Sequence, residues 1–269
     1  MTAKPRDGAK ALPALDRFDD RAAGYTPARV GRFNEANRAY PEARATERRL
    51  VLDRLRLAAG LTLCDAGAGG GYLVEGAVER IGDPACITCV ENSRSFLDSI
   101  DPRFNRVLSS LSSIDLPDGG MDRVSNLAGL HHQEHKDAFF REAFRILKPG
   151  GRVAVADVLA GSPQDRFLNI AVDRYTPIGH DGMFVAPGDF AAMLEDAGFV
   201  DVEEEVMSYT WDLPDRATLI SFCKTLFRMD RATLDQTEAA VDRYLTVTES
   251  ETGAHLGWSL VHAAGDKPA

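Results

Sequence analysis

Cysteine is scarce in this chain of 269 residues: only Cys64, Cys86, Cys89 and Cys223 occur. Cys86 and Cys89 form a lone C-x-x-C, with no second pair to complete a zinc site. They fall in an apolar run, 85–90, that reads as a strand, where side chains three apart point to opposite faces. Buried free thiols are therefore expected, and no metal site. Long apolar runs are missing too: none approaches the roughly 20 residues that span a bilayer. The first residues, Met-Thr-Ala-Lys-Pro-Arg-Asp, hold no segment of signal-peptide type. A cytoplasmic protein without a membrane partner is expected. Basic tracts are also absent. There are 31 Lys and Arg against 41 Asp and Glu, a net charge of −10, whereas a protein that grips nucleic acid by its phosphates carries a basic face. Arg29, Arg32, Arg38, Arg44, Arg48 and Arg49 interleave with Glu35, Glu42 and Glu47, which reads as a solvated helix face.

What is present suits one large α/β domain with an appendage, at 44% hydrophobic residues. The organising stretch is Leu61 to Leu73, Leu-Thr-Leu-Cys-Asp-Ala-Gly-Ala-Gly-Gly-Gly-Tyr-Leu. An apolar run ends in an acid, breaks into glycines and resumes with helix formers, as a strand, a tight turn and a helix start would. Gly67, Gly69 and Gly71 clear side chains from a place where backbone approaches a ligand, and free N–H groups of the helix start face that ligand. The dinucleotide fingerprint needs a glycine at the sixth position, which here is Tyr72. Asp65 would repel a pyrophosphate and attract a cationic amino-acid ligand. An ordinary strand–helix turn is the plainer alternative for these glycines alone.

A second strand, 85–90, ends in Glu91, 20 residues beyond Gly71, where a carboxylate can accept both ribose hydroxyls of a nucleoside. A third strand lies near 106–109, followed by Ser112-Ser113-Ile114-Asp115. The fourth, 121–127, runs out through Ser125, Asn126 and Leu127 into His131 and His132. Adjacent histidines past a strand's carboxyl end sit where open α/β sheets keep their sites. Helix 136–147 carries a core stripe of Phe139, Phe140, Ala143, Phe144 and Leu147. Lys148-Pro149-Gly150-Gly151 turns sharply into a fifth strand, 152–158, in which Asp157 can face His131; the rival is a packing histidine and an acid that caps a loop.

Together, the glycine turn, Glu91, the His pair and Leu147-Lys148-Pro149-Gly150-Gly151 resemble the class I S-adenosylmethionine (SAM) dependent methyltransferases, over about 61–158. The resemblance is to the small-molecule branch, including quinone-biosynthesis and natural-product enzymes. It implies an α/β, Rossmann-like, seven-stranded doubly wound sheet with its last strand antiparallel, an N-terminal helical cap and a helical insertion before the final strand. The divisions expected are a loose 1–20, a helical lid 21–60, a SAM-binding core 61–210, a helical insertion 211–250, and a final edge strand and tail 251–269. The cofactor implied is SAM, whose ammonium and sulfonium suit an acidic mouth. Contacts carried over to this chain are Asp65, Gly67, Gly69, Gly71, Glu91 and its neighbour Asn92, with Asn126 and Leu127 at the end of the fourth strand. The adenine loop would use Ser112, where the family often has an acid, and the Ser113 N–H. The lid would offer Tyr25, Phe33, Asn34, Tyr40 and Arg44.

Some sugar methyltransferases of this type hold a His and an Asp at the spacing of His131 and Asp157, near the accepting hydroxyl. His131 is then the general base, Asp157 orients its ring, and His132 is its neighbour. The polar stretch 161–184 is expected to wall the acceptor pocket through Arg174, Tyr175, His180, Asp181 and Phe184, unless Arg174 merely pairs with Asp173. Trp211 to Leu245 reads as two helices that cover the acceptor or form a homodimer face. The expected reaction is methyl transfer to a small-molecule acceptor, at oxygen first, with carbon or nitrogen open. The alternatives are a protein methyltransferase and a non-catalytic SAM- or nucleotide-binding module.

Overall fold

The computed structural model describes residues 27–269; the expectations for 1–20 and for Tyr25 lie outside them. Helices α1 (Pro27–Ala39) and α2 (Ala45–Arg54) precede the sheet. Strand β1 (Leu63–Ala66) leads through the glycine turn to α3 (Tyr72–Ile81), then come β2 (Ile87–Glu91), α4 (Arg94–Ser99) and β3 (Asn105–Leu108). Strand β4 (Met121–Leu127), α5 (Lys136–Ile146) and β5 (Leu147–Asp157) complete the parallel part. Every residue of β1 and β2 is buried, as parallel strands covered by helices on both faces require. From α3, Leu73, Val74, Ala77 and Ile81 are buried against one face, and from α5, Phe139, Phe140, Ala143 and Ile146 against the other.

The sheet order is β3-β2-β1-β4-β5-β8-β6, where β6 is Val200–Leu213, β7 is Val247–Ser250 and β8 is Gly253–Asp266. The chain leaves β1 in one direction for β2 and returns on its other side for β4, so a crevice opens at the carboxyl ends of β1 and β4. The α/β class and the antiparallel last strand agree with expectation. The strand count and its position do not: β7 adds an eighth strand, and β8 lies between β5 and β6 instead of at the edge. Its interior place fits its own residues, since Trp258, Leu260, Val261, Ala263 and Ala264 are all buried.

Three local readings change as well. Strand β6, which α8 (Asp189–Asp196) precedes, runs on to Leu213, so Trp211 is a strand residue, paired with Leu256; helices α9 (Arg216–Leu226) and α10 (Leu234–Tyr244) follow it. Cys86 sits half-buried in a 3-10 turn, 84–86, before β2. The stretch 161–184 is helical in its first half: α6 (Pro163–Arg166), a π-helical segment Phe167–Val172 and α7 (Asp173–Tyr175). Phe167, Leu168, Ala171 and Val172 of that segment are buried, with Phe167 edge-on to Phe227. Among the described residues, no helix is long and apolar enough to cross a membrane.

Candidate active site

One cavity of about 540 Å³ opens at the carboxyl ends of β1, β2, β4 and β5 and reaches down to β8. At one end the glycine turn crosses it. Gly67, Gly69 and Gly71 have φ of 78°, 55° and 87°, a left-handed region that a side chain disfavours. Gly70 is needed for another reason: a Cβ there would overlap the side-chain amide of Asn34 in α1. Asn34 also donates to Ser99 Oγ at 2.9 Å, so α1 rests on the turn and on α4. Phe33 lines the cavity beside it, edge-on to Phe96.

Two buried carboxylates stand here without a cation among their described partners. Asp65, at the end of β1, accepts from Ser125 Oγ at 2.7 Å. Glu91, at the end of β2, accepts from the Gly69 N–H at 3.0 Å and the Ser93 N–H at 3.3 Å. Burial pushes both carboxyls up to about 7, because the charged form is poorly solvated. Each has lone pairs left over. A ligand that brings positive charge and vicinal hydroxyls suits this pair, and SAM brings both.

At the other end, the 3-10 turn 130–132 after β4 presents His131 and His132. Asp157, at the end of β5, accepts from the His131 backbone N–H at 2.9 Å and lies 2.8 Å from His131 Nδ1. It accepts from the Val158 N–H as well, at 2.7 Å. Three contacts fix the carboxylate, and the carboxylate assigns the ring proton to Nδ1, which leaves Nε2 as the basic atom. Asn169, in the π-helical segment, holds His180 Nδ1 at 3.0 Å in the same way. Burial is the main cause, and His131 the next, of a His180 pKa lowered to about 4. His132 has open surface, but it opens into the cavity. Protein on all sides, with His131 and His180 adjacent, holds its pKa well below the ordinary value.

Of the residues expected at the site, Asp65, Gly67, Gly69, Glu91, Asn92 and Leu127 line the cavity, as do His131, His132, His180 and Asp181. Gly71 starts α3 as its left-handed cap, and Phe184 stacks on His180. Others point elsewhere. Asn126 is fully buried, donating to Ala66 O at 2.5 Å and accepting from the Gly129 N–H at 3.2 Å; it ties two loops together. Ser112 and Ser113 are exposed, with Ser112 Oγ on Ser110 Oγ, and the cavity is met there by Leu111. Tyr40 lies outside, edge-on to Phe222. Arg174 covers the Tyr175 ring, and neither reaches the cavity.

The sequence pattern did not disclose the far wall. Trp211, Phe227 and Trp258 stack there, with Trp211 and Trp258 ring centres 4.3 Å apart. Glu47 of α2 is buried beneath it, accepting from Trp211 Nε1 and Tyr209 Oη at 3.1 Å and from Arg44 Nε at 3.0 Å. Arg228 also lines the wall; it bonds Asp230 through Nη2, and its Nε and Nη1 are buried without a hydrogen-bond partner among the described residues. Ala128 and Arg228 hold φ of 52° and 56° at the cavity, a strain typical of functional walls.

Residues 64–155 match the family model of the methyltransferase domain. The chain is 25% identical over 181 residues to methyltransferase GfsG of Streptomyces halstedii, covering 61% of this chain and 64% of that one. It is 31% identical over 121 residues to 27-O-demethylrifamycin SV methyltransferase of Amycolatopsis mediterranei, covering 44% of each. The chain thus spans less than two thirds of these curated relatives. Among solved structures, it is similar to phosphoethanolamine N-methyltransferase 2 of Haemonchus contortus in complex with SAM, with a TM-score of 0.61, 16% identity, and coverage of 97% of this chain and 61% of that one.

Proposed function

We propose that this chain, which carries a class I SAM-dependent methyltransferase domain, transfers the cofactor's methyl group to a hydroxyl of a small organic acceptor. The observation that carries the reading is the His131–Asp157 pair, 2.8 Å apart, in the cavity that also contains Asp65 and Glu91. Asp65 and Glu91 would hold the cationic and sugar parts of SAM, with the glycine turn between them. The bound cofactor supplies a methyl group already activated by its sulfonium. The chain must then bring the acceptor oxygen in line with the methyl carbon, at roughly 3–3.5 Å, and take up the hydroxyl proton. His131 Nε2 is placed for that proton, and Asp157 stabilises the resulting imidazolium.

The walls support a choice of acceptor class. Stacked Trp211, Phe227 and Trp258 offer flat apolar surface. Arg228 adds positive charge to the same wall, which suits an oxygen-bearing acceptor. A rigid, oxygen-bearing, largely apolar molecule fits both. The rifamycin-modifying relative, whose name specifies O-methylation, supports the same choice. The net charge of −10 argues against nucleic acid as acceptor. Helices α1 and α2, docked on the glycine turn and on β6, would serve as the cap over the cofactor end.

His131→Ala tests the reading. Turnover with a hydroxylated natural-product acceptor should fall by about 10²- to 10⁴-fold, while SAM affinity by calorimetry stays within a factor of two or so. Unchanged turnover removes His131 from the reaction and, with it, the basis for choosing oxygen over carbon or nitrogen.

A further inference from the structure

His131, His132 and His180 each offer a ring nitrogen, and the three atoms lie within 4.8 Å of one another. All three rings line the acceptor end of the cavity. We infer that this trio is a binding site for one divalent late first-row metal ion, zinc above all, with its remaining coordination position open to the acceptor.

The support comes from what holds the rings. A histidine that binds metal through one nitrogen commonly donates its other N–H to a carboxylate or carbonyl oxygen, which orients it. His131 meets Asp157 Oδ1 at 2.8 Å, and His180 meets Asn169 Oδ1 at 3.0 Å, both through Nδ1. Nε2 is left free on each. Both supports are themselves fixed. Asn169 donates to Gly182 O at 2.9 Å and Asp165 Oδ1 at 3.1 Å, and accepts from the Gly182 N–H at 2.7 Å. It stands on the π-helical segment Phe167–Val172, a distortion that costs stability and concentrates at functional sites. His132, which lines the cavity against both rings and has no side-chain hydrogen bond among the described residues, is the third ligand.

Three imidazoles suit zinc, cobalt, nickel or copper better than magnesium or calcium, which take oxygen ligands. Tetrahedral zinc at about 2.0–2.1 Å from each nitrogen sets the nitrogens about 3.3 Å apart. The trio therefore has to contract, and rotation of His132 is the movement available. Three protein ligands with a fourth position open is the arrangement of a catalytic zinc, not a structural one. Without the ion, His131 is the base as proposed above; with it, His131 Nε2 would be a ligand, and the ion would acidify an acceptor hydroxyl at the open position, whose proton would pass to solvent. That last role rests on the O-methylation reading; the site itself does not.

The experiment uses tag-free protein, stripped with chelator, dialysed and titrated with Co²⁺. One equivalent should bind, with visible d–d bands and no thiolate charge-transfer band, and Zn²⁺ should displace it. His180→Ala and His132→Ala should each weaken binding by a hundredfold or more. Asn169→Ala should weaken it by about tenfold, with unchanged circular dichroism. No visible band, a thiolate signature from the cysteines, or wild-type binding by the His132/His180 double variant would overturn the site. A failed titration with methyl transfer still dependent on His131 removes the ion alone. A clean titration in a protein that transfers no methyl group keeps the ion and removes its role in methylation.

Discussion

The two ends of the cavity are built by different means. The cofactor end is made by contiguous chain: β1, the glycine turn, α3 and β2 occupy residues 63–91 without interruption, and its chemistry comes largely from backbone geometry and two strand-terminal acids. The acceptor end is assembled from side chains remote in sequence. His131 meets Asp157 across 26 positions, His180 meets Asn169 across 11, and Arg228 and Trp258 arrive from the chain's last quarter. On the proposed function, the backbone-built end holds the cofactor and the side-chain assembly sets the acceptor. If the division is real, changes at one end should move affinity for SAM and leave turnover at saturation alone, and changes at the other should do the reverse.

The largest effect is expected at the acceptor end. Asp157→Asn keeps the shape but removes the charge that stabilises a protonated His131. Turnover should fall by about 10²- to 10⁴-fold, with SAM affinity unchanged by calorimetry. A parallel loss of SAM affinity would mean that the two ends are one unit. At the cofactor end, Glu91→Gln replaces charge-assisted hydrogen bonds worth about 1.5–3 kcal/mol. SAM binding should weaken by about ten- to a hundredfold, and turnover at saturating SAM should stay near wild type. Gly70→Ala should act on the same end without touching the ligand. It forces Asn34 and α1 away, costs about 1–3 kcal/mol, and should show as weaker SAM binding and earlier proteolysis of α1.

Smaller effects come from pH. Asp65 and Glu91 are held near 7 in the free protein, above their ordinary values of 3.8 and 4.5. The folded chain then binds more protons than the unfolded one between those values and 7, so these two groups cost stability as pH climbs through that window. A cationic ligand favours their ionised forms. SAM should therefore bind more tightly as pH rises from 5 to 8, with protons released, measurable as buffer-dependent heats. Affinity flat over that range would place both carboxylates outside the contact. His262 acts in the opposite sense. It is fully buried on β8 with both ring nitrogens unpaired among the described residues, and burial lowers its pKa to about 3. The unfolded chain takes up the proton first, so stability is lost as pH falls below about 6.5. His262→Phe should flatten the acid limb of the Tm against pH while leaving SAM binding and turnover in place.

The cofactor end was largely legible in the sequence because its signals are local. Glycines at 67, 69 and 71 report backbone dihedrals directly, and Glu91 follows a buried strand at a set distance. The misplacements there have a common physical cause. Asn126 and Ser112 have the right residue type at the right element, but a polar side chain turns to whichever partner is nearest: Ala66 O for the one, Ser110 Oγ for the other. Gly70 carries no such local signal, because its reason is the approach of Asn34 from 36 positions earlier. At the acceptor end, His131 and Asp157 were legible as a pair from their strand ends. The conjunction with His180 was not, since it depends on a π-helical segment that reads in sequence as an ordinary polar insertion.

By itself, the sequence determined the run of parallel strands and helices, the glycine turn at the mouth of the crevice and the acids that flank it, because hydrophobic period, glycine dihedrals and strand-end chemistry act over a few residues. Only the tertiary structure decided that β8 slots between β5 and β6, that an aromatic wall and Arg228 close the cavity, and that three imidazoles converge. Those are outcomes of long-range pairing and packing, in which each group's partner is chosen by the whole fold and not by its neighbours in the chain.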